Sequence, residues 1–157
     1  MSTRVDIVAG RERGQALVET ALTMLIVLVL LAGMVDFGLA FGYRVALANA
    51  SRGGARYGSR YPKMTGLITA ATIDSLRGTL VIPDDYDHTT APDEHLEIDV
   101  ACENNGATLA CSSADRGQQI RVTVSYAYQP LFGSLLGISE VPIASSTIMY
   151  ILGPDEL

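Results

Sequence analysis

Residues 20–35, TALTMLIVLVLLAGMV, carry no charge over sixteen positions, and beyond Asp36 the stretch FGLAFGY extends the apolar character to Tyr43. A helix rising about 1.5 Å per residue needs about 20 apolar residues to cross a hydrocarbon core of about 30 Å. The run suffices if Asp36 lies near its outer end or is tolerated inside, and an interfacial end is the expected place for that carboxylate. It is the single long apolar run of the chain, so a polytopic membrane protein is excluded. The run also explains the composition: 157 residues, 48% of them hydrophobic, have a mean hydropathy of +0.27, too apolar for an ordinary soluble domain or for disorder. The net charge of −6 makes nucleic-acid backbone binding a poor main activity.

Upstream lies a short polar leader, residues 1–14, in which Arg4, Arg11 and Arg13 outnumber Asp6 and Glu12. A basic start before an apolar run is also the pattern of a secretory signal peptide. Against that reading stand the length of the run, the presence of Asp36, and the lack of a convincing small-residue cleavage site around Ala32, Gly33 and Ala40. Downstream, Arg44, Arg52, Arg56, Arg60 and Lys63 follow with no acidic residue between them. Taken alone, that excess would put this side in the cytoplasm.

Glu19 heads the apolar run five positions after Gly14, in GQALVE. A carboxylate at the edge of lipid either sits among headgroups near the positive helix N-terminus or needs a partner. Cleavage after Gly14 would supply one, because it frees an amine on Gln15 that Glu19 of a neighbouring subunit can pair with. On these residues, with GQALVETAL, the apolar run and GMVDFGLAFGYRVALANASRGGARYG, the chain resembles the TadE-like pilins of the tight-adherence (Tad, or Flp) pilus, a branch of the type IVb pilins and pseudopilins. The resemblance is most specific over residues 13–58. It implies a prepilin peptidase cutting between Gly14 and Gln15 on the cytoplasmic side, and Glu19 as the assembly carboxylate. Thr20 departs from the aromatic residue common at that position in relatives.

The resemblance also implies a topology. The leader stays in the cytoplasm, residues 15–43 span the inner membrane, and residues 44–157 form an extracytoplasmic head, ending outside the cell if the subunit enters the pilus. The implied partners are other pilin subunits and minor pilins, the prepilin peptidase, the inner-membrane assembly platform and membrane lipid, in a structure used for adhesion. No cofactor and no nucleic acid is implied. Major subunits of this type are usually much shorter than the 143 residues after Gly14, which favours a minor or priming role.

No proline precedes Pro62, so one helix is expected to run over residues 15 to about 60, roughly 69 Å. Projected at 100° per residue, Tyr43, Leu47, Ala50, Gly54, Tyr57 and Tyr61 fall on one side and the basic Arg44, Arg52, Arg56 and Arg60 on the other. Adjacent Gly53 and Gly54 could bend or end this helix, or permit close packing against the head. The basic face is expected to meet acidic partners within the subunit or in a neighbour. Asp84, Asp85, Asp87, Asp93, Glu94, Glu97, Asp99, Glu103 and Asp115 are available in a stretch without Lys or Arg.

After Pro62 the pattern predicts an α+β head: a short helix capped by Thr65, with Met64, Leu67, Ile68, Ala71, Ser75 and Leu76 on one side and Gly78 at its end. A loop over residues 83–95 follows. Alternation then predicts strands over residues 96–102 and 120–128, paired as an antiparallel hairpin. A third strand is expected over 143–152, after the apolar turn segment PLFGSLLGI. The fold class is α+β and pilin-like, a long N-terminal helix packed on a small antiparallel sheet with a second short helix.

Cys102 and Cys111 flank ENNGATLA in the hairpin loop. They can form a disulfide outside the membrane or remain free thiols; a metal site would need more ligands than His88 and His95 provide. Asp84, Asp85 and Asp87 lack the glycine and terminal glutamate of a calcium-binding loop. No catalytic constellation emerges, so an enzyme is not expected. The alternative to a pilin is a permanently membrane-anchored extracytoplasmic binding module that is never cleaved.

Overall fold

The structure, a computed structural model, describes residues 5–86, 94–133 and 137–153, and side chains from Gly14 onward. The leader side chains and Asp87, His88 and Asp93 of the acidic loop lie outside the described residues. The architecture is α+β: helix α1 (Val5–Arg60), helix α2 (Thr65–Asp74), and strands β1 (Leu96–Asn104), β2 (Ala107–Leu109), β3 (Gln119–Tyr128) and β4 (Val141–Tyr150). The chain divides into two compact units, Met1–Gly38 and Leu39–Leu157.

The described residues of the first unit are helical. Its side chains from Gly14 to Leu31 are all exposed, so no apolar contact within the chain accounts for them.

The second unit holds the core. Its sheet has the order β2-β1-β3-β4, antiparallel throughout, with Cys102 opposite Ile120 and Val124 opposite Ser145. The alternation read from the sequence places Ile120, Val122, Val124 and Tyr128 inward on β3, where they are buried. Leu47, Ala50 and Ala55 of α1 and Ile68, Ile73 and Leu76 belong to the same core. Tyr43 of α1 lies on the sheet, stacked on Tyr126 at 5.1 Å between ring centroids and tilted against Tyr128 at 5.0 Å.

Gly53 and Gly54 do not end α1, which continues to Arg60. They form a seam. A Cβ at Gly53 would come 2.5 Å from Ser75 Oγ, one at Gly54 would fall against Thr72 Oγ1, and one at Gly58 would come 2.5 Å from Ile120 Cδ1. The helix-propensity cost of these glycines is offset by the close approach of α2 and β3 that they permit.

Two details of the head differ from the sequence pattern. Thr65 is the first residue of α2 and not its cap; Met64 holds the cap position, and no side chain caps the helix. Leu67 and Met64 are half exposed, while Thr72 joins Ile68 on the buried face by returning its hydroxyl to Ile68 O at 2.8 Å. That local bond lets a polar side chain enter the core without an unpaired donor. The second difference is β2, a three-residue strand inside the segment expected to be only a hairpin loop.

Candidate functional site

Gly14, Gln15 and Glu19 all lie within α1 with exposed side chains. Gln15 and Glu19 are four residues apart and so share a helix face, about 6 Å apart along the axis. Around them Thr20 Oγ1 donates to Ala16 O at 2.8 Å and Thr23 Oγ1 to Glu19 O at 2.9 Å. Both hydroxyls are thereby satisfied inside the helix, which suits an environment poor in water. The Glu19 carboxylate itself points outward from a helix whose neighbours Leu17, Val18 and Leu22 are each at least 60% exposed.

This region belongs to the stretch Gly14–Arg60, which by length and composition is a candidate membrane span; none of its most apolar window is buried. A row of large side chains from Leu22 to Leu31 stands uncovered. An apolar surface of this extent on all sides of a helix belongs in lipid or against other helices. Asp36 lies beyond this row and is partly covered.

Further along α1, Arg44, Arg52, Arg56 and Arg60 are exposed, while Leu47, Ala50 and Gly54 are buried, so the two faces projected from the sequence are separated. Among the described residues none of these arginines, nor Lys63, makes an ion pair; Arg52 reaches only Asn49 Oδ1, at 3.5 Å. Pairing with the acidic stretch of the same chain is thus not found among the described residues.

Cys102 of β1 and Cys111 are joined as a disulfide, with Cα atoms 5.2 Å apart. The bridge ties the end of β1 to the short 3-10 turn Cys111–Ser113 that follows β2. Next to it the outer sheet face carries a fork: Arg121 Nε donates to Glu103 Oε1 at 2.8 Å and Arg121 Nη2 to Glu103 Oε2 at 3.1 Å. Glu103 lies opposite Gln119, so Arg121 is its diagonal neighbour across β1 and β3. The guanidinium hydrogen bonds hold the Glu103 carboxyl below its ordinary range and raise Arg121. The sequence did contain the signal for this pair, opposite charges each one residue after Cys102 and Ile120, but not the register that joins them.

Ser51 is a second feature that the helical projection did not single out. It is fully buried on the sheet-facing side of α1 and shares a hydrogen bond with Thr147 of β4 at 2.8 Å. Among the described residues, no three His, Cys, Asp or Glu side chains converge as a metal site would require.

Residues 14–56 match the family model described as TadE-like protein. No curated protein and no solved structure matches the chain.

Proposed function

We propose, from a chain whose residues 14–56 are TadE-like and so associate it with the Tad pilus, that the protein is a noncatalytic minor pilin or pseudopilin. It inserts in the inner membrane through α1 with its head outside the cytoplasm. A prepilin peptidase hydrolyses the bond between Gly14 and Gln15, leaving a carboxylate on the leader and an amine on the mature chain. The helix is then drawn from lipid into a filament or its priming complex, where contacts with other pilin helices replace lipid contacts. Glu19 pairs with the Gln15 amine of a neighbouring subunit, and each relieves the other's cost in an apolar surrounding.

The observation that carries this reading is the order Gly14, Gln15, Glu19 directly ahead of an apolar helix that the chain itself leaves uncovered. Mass spectrometry of the N-terminus, in cells with and without the prepilin peptidase, tests it. A mature chain beginning at Gln15 only when the peptidase is present is expected. A chain that keeps its leader in both strains, or begins elsewhere, removes the reading and favours the uncleaved, permanently anchored module.

A further inference from the structure

Large apolar side chains gather at one end of the second unit, the end at which α1 enters it at Leu39. Helix and sheet run along each other in opposite senses: Gly58 faces Ile120 near the start of β3, and Tyr43 lies against Tyr128 at its end. The chain that leaves Tyr128 therefore continues toward the entry of α1, and it returns at Val141, the partner of Tyr128 on β4. This connection carries Leu131, Phe132 and Ile138, all exposed, and Val141 at its close is exposed as well. Phe41 of α1 and Leu80, whose Cδ1 would lie 2.7 Å from a Cβ at Gly42, add two more exposed apolar side chains at the same end. The far end of the unit differs, for there Arg60, Lys63 and Arg116 gather around an open pocket.

The connection between β3 and β4 closes on itself. Gly133 is buried, its N–H donates to Pro130 O at 3.4 Å and its carbonyl accepts from Ile138 N at 2.9 Å. A Cβ at Gly133 would come 2.6 Å from Ile138 O and 2.8 Å from Pro130 Cβ, so the missing side chain is what lets the two arms approach. Leu131 and Ile138 are thus held on the arms of a closed turn while 65% and 44% exposed. Residues 129–139 carry no charge. The exposed charged groups at this end are Arg44, Glu94, Glu97 and Glu140. Clustered apolar exposure of this kind marks a surface that meets lipid or another protein.

We propose that this end of the head dips into the interface of the membrane that α1 spans, with Leu131, Phe132 and Ile138 reaching the acyl chains just below the headgroups. The inference rests on α1 as a membrane span and stands whether or not Gly14 is cut. Covalent connection selects lipid as the occupant. Between Thr20 and Leu39 the helix holds Asp36 as its one charged residue, and the apolar character persists to Tyr43. The end of the head at which that run enters is therefore the end tethered at the bilayer surface, and a protein partner would have to displace lipid from the same layer. The charged groups limit the depth: Glu94, Glu97 and Glu140 stay among the headgroups, while Arg44 can extend its guanidinium to a lipid phosphate. Apolar side chains buried about 5–10 Å below the headgroup boundary, with polar ones kept above, are the usual hold of a segment that lies on a membrane without crossing it. Such a second hold would fix how the head is turned about α1, and drawing α1 from lipid would require the turn to leave with it.

The sequence contains no tryptophan, so a single introduced indole reports alone. The full-length chain is reconstituted in phosphatidylcholine vesicles whose acyl chains carry bromine near the headgroup end, and the emission of Leu131→Trp, Ile138→Trp, Phe37→Trp and Tyr61→Trp is compared with that in unbrominated vesicles. Phe37→Trp reports α1 in lipid, and Tyr61→Trp reports the far end of the head in water. All four positions are exposed, and each variant is first shown to melt as the parent does. Leu131→Trp and Ile138→Trp should each lose at least about half their emission to the bromines, because a side chain about 5–10 Å into the interface lies at their level, while Tyr61→Trp keeps its own. A probe in the turn that stays as bright as Tyr61→Trp while Phe37→Trp is quenched overturns the proposal and leaves the span standing. Emission shifted to the blue without quenching puts the turn against protein and also overturns it. A Phe37→Trp probe that escapes quenching overturns the membrane span, and the proposal with it.

Discussion

At Gly54 the helix comes so near its neighbours that an added methyl group would fall against Thr72 Oγ1 and lie 3.2 Å from Val122 Cγ1. Thr72 is β-branched, fully buried and tied to Ile68 O, so it cannot swing aside. Gly54→Ala should therefore lose about 1–3 kcal/mol to overpacking against a helix-propensity gain of at most about 1 kcal/mol. Gly66→Ala, in α2 with open space around the added atom, should be neutral or stabilising. Thermal melts of the two variants separate strain from propensity. The composition of the helix displayed these glycines plainly, but whether they bend it or receive a neighbour depends on where residues 72 and 122 return, which no local pattern contains. Glu103 offers a test of sign at the same scale. Its folded carboxyl is held below the ordinary range by the Arg121 hydrogen bonds, so the stability it contributes is present above its unfolded value of about 4.3 and is lost as pH falls through the lower folded value. Glu103→Gln should lower the Tm near neutral pH and flatten its decline on the acid side; a Tm-against-pH curve parallel to that of the parent would contradict this.

Among the elements, the disulfide does the work that β2 is too short to do. Three residues of strand pairing hold little by themselves, and the bridge from Cys102 to Cys111 closes the segment that contains them. Reduction should lower stability by about 2–3 kcal/mol, the chain-entropy value for a loop of about ten residues. A melt with and without reductant measures it, and a Cys102→Ser, Cys111→Ser double variant should match the reduced parent. β1, β3, β4 and the end of α1 were legible to within about two residues: β1, β3 and α1 carry a sustained period of 2 or 3.6 that burial then follows, and β4 was marked by its place after the apolar turn segment PLFGSLLGI. β2 was not, since Ala107, Thr108 and Leu109 are too few to show a period, and the disulfide partners were read as bounding a loop. The misplacement of Thr65 has a similar cause: a hydroxyl residue before an apolar pattern suits the cap and the first helical turn equally, and the observed cap, Met64, offers no side-chain hydrogen bond.

For the molecule as a whole, the two compact units separate an uncovered apolar helix from a domain with its own core. Residues 39–157, expressed in an oxidising compartment without residues 1–38, should fold by themselves, with a cooperative melt and the Cys102–Cys111 bridge formed. Far-UV circular dichroism and thiol titration check both; a molten, thiol-bearing product would show that the head depends on the preceding helix. The basic face of α1 was legible as a face, but the acidic partners expected for it within the subunit are not found among the described residues, because a charge pattern along the sequence does not say which carboxylates the fold brings near. One backbone contact has a consequence in time. Leu152 N donates to Ser59 O at 2.8 Å, closing the last described turn of chain onto the helix. Chains grow at about 5–20 residues per second, so a ribosome that has just added Ser59 needs about 5–20 s more to deliver its partner. During that interval the seam at Gly53, Gly54 and Gly58 has no strands to receive, and whatever shields a nascent membrane protein must shield this groove as well.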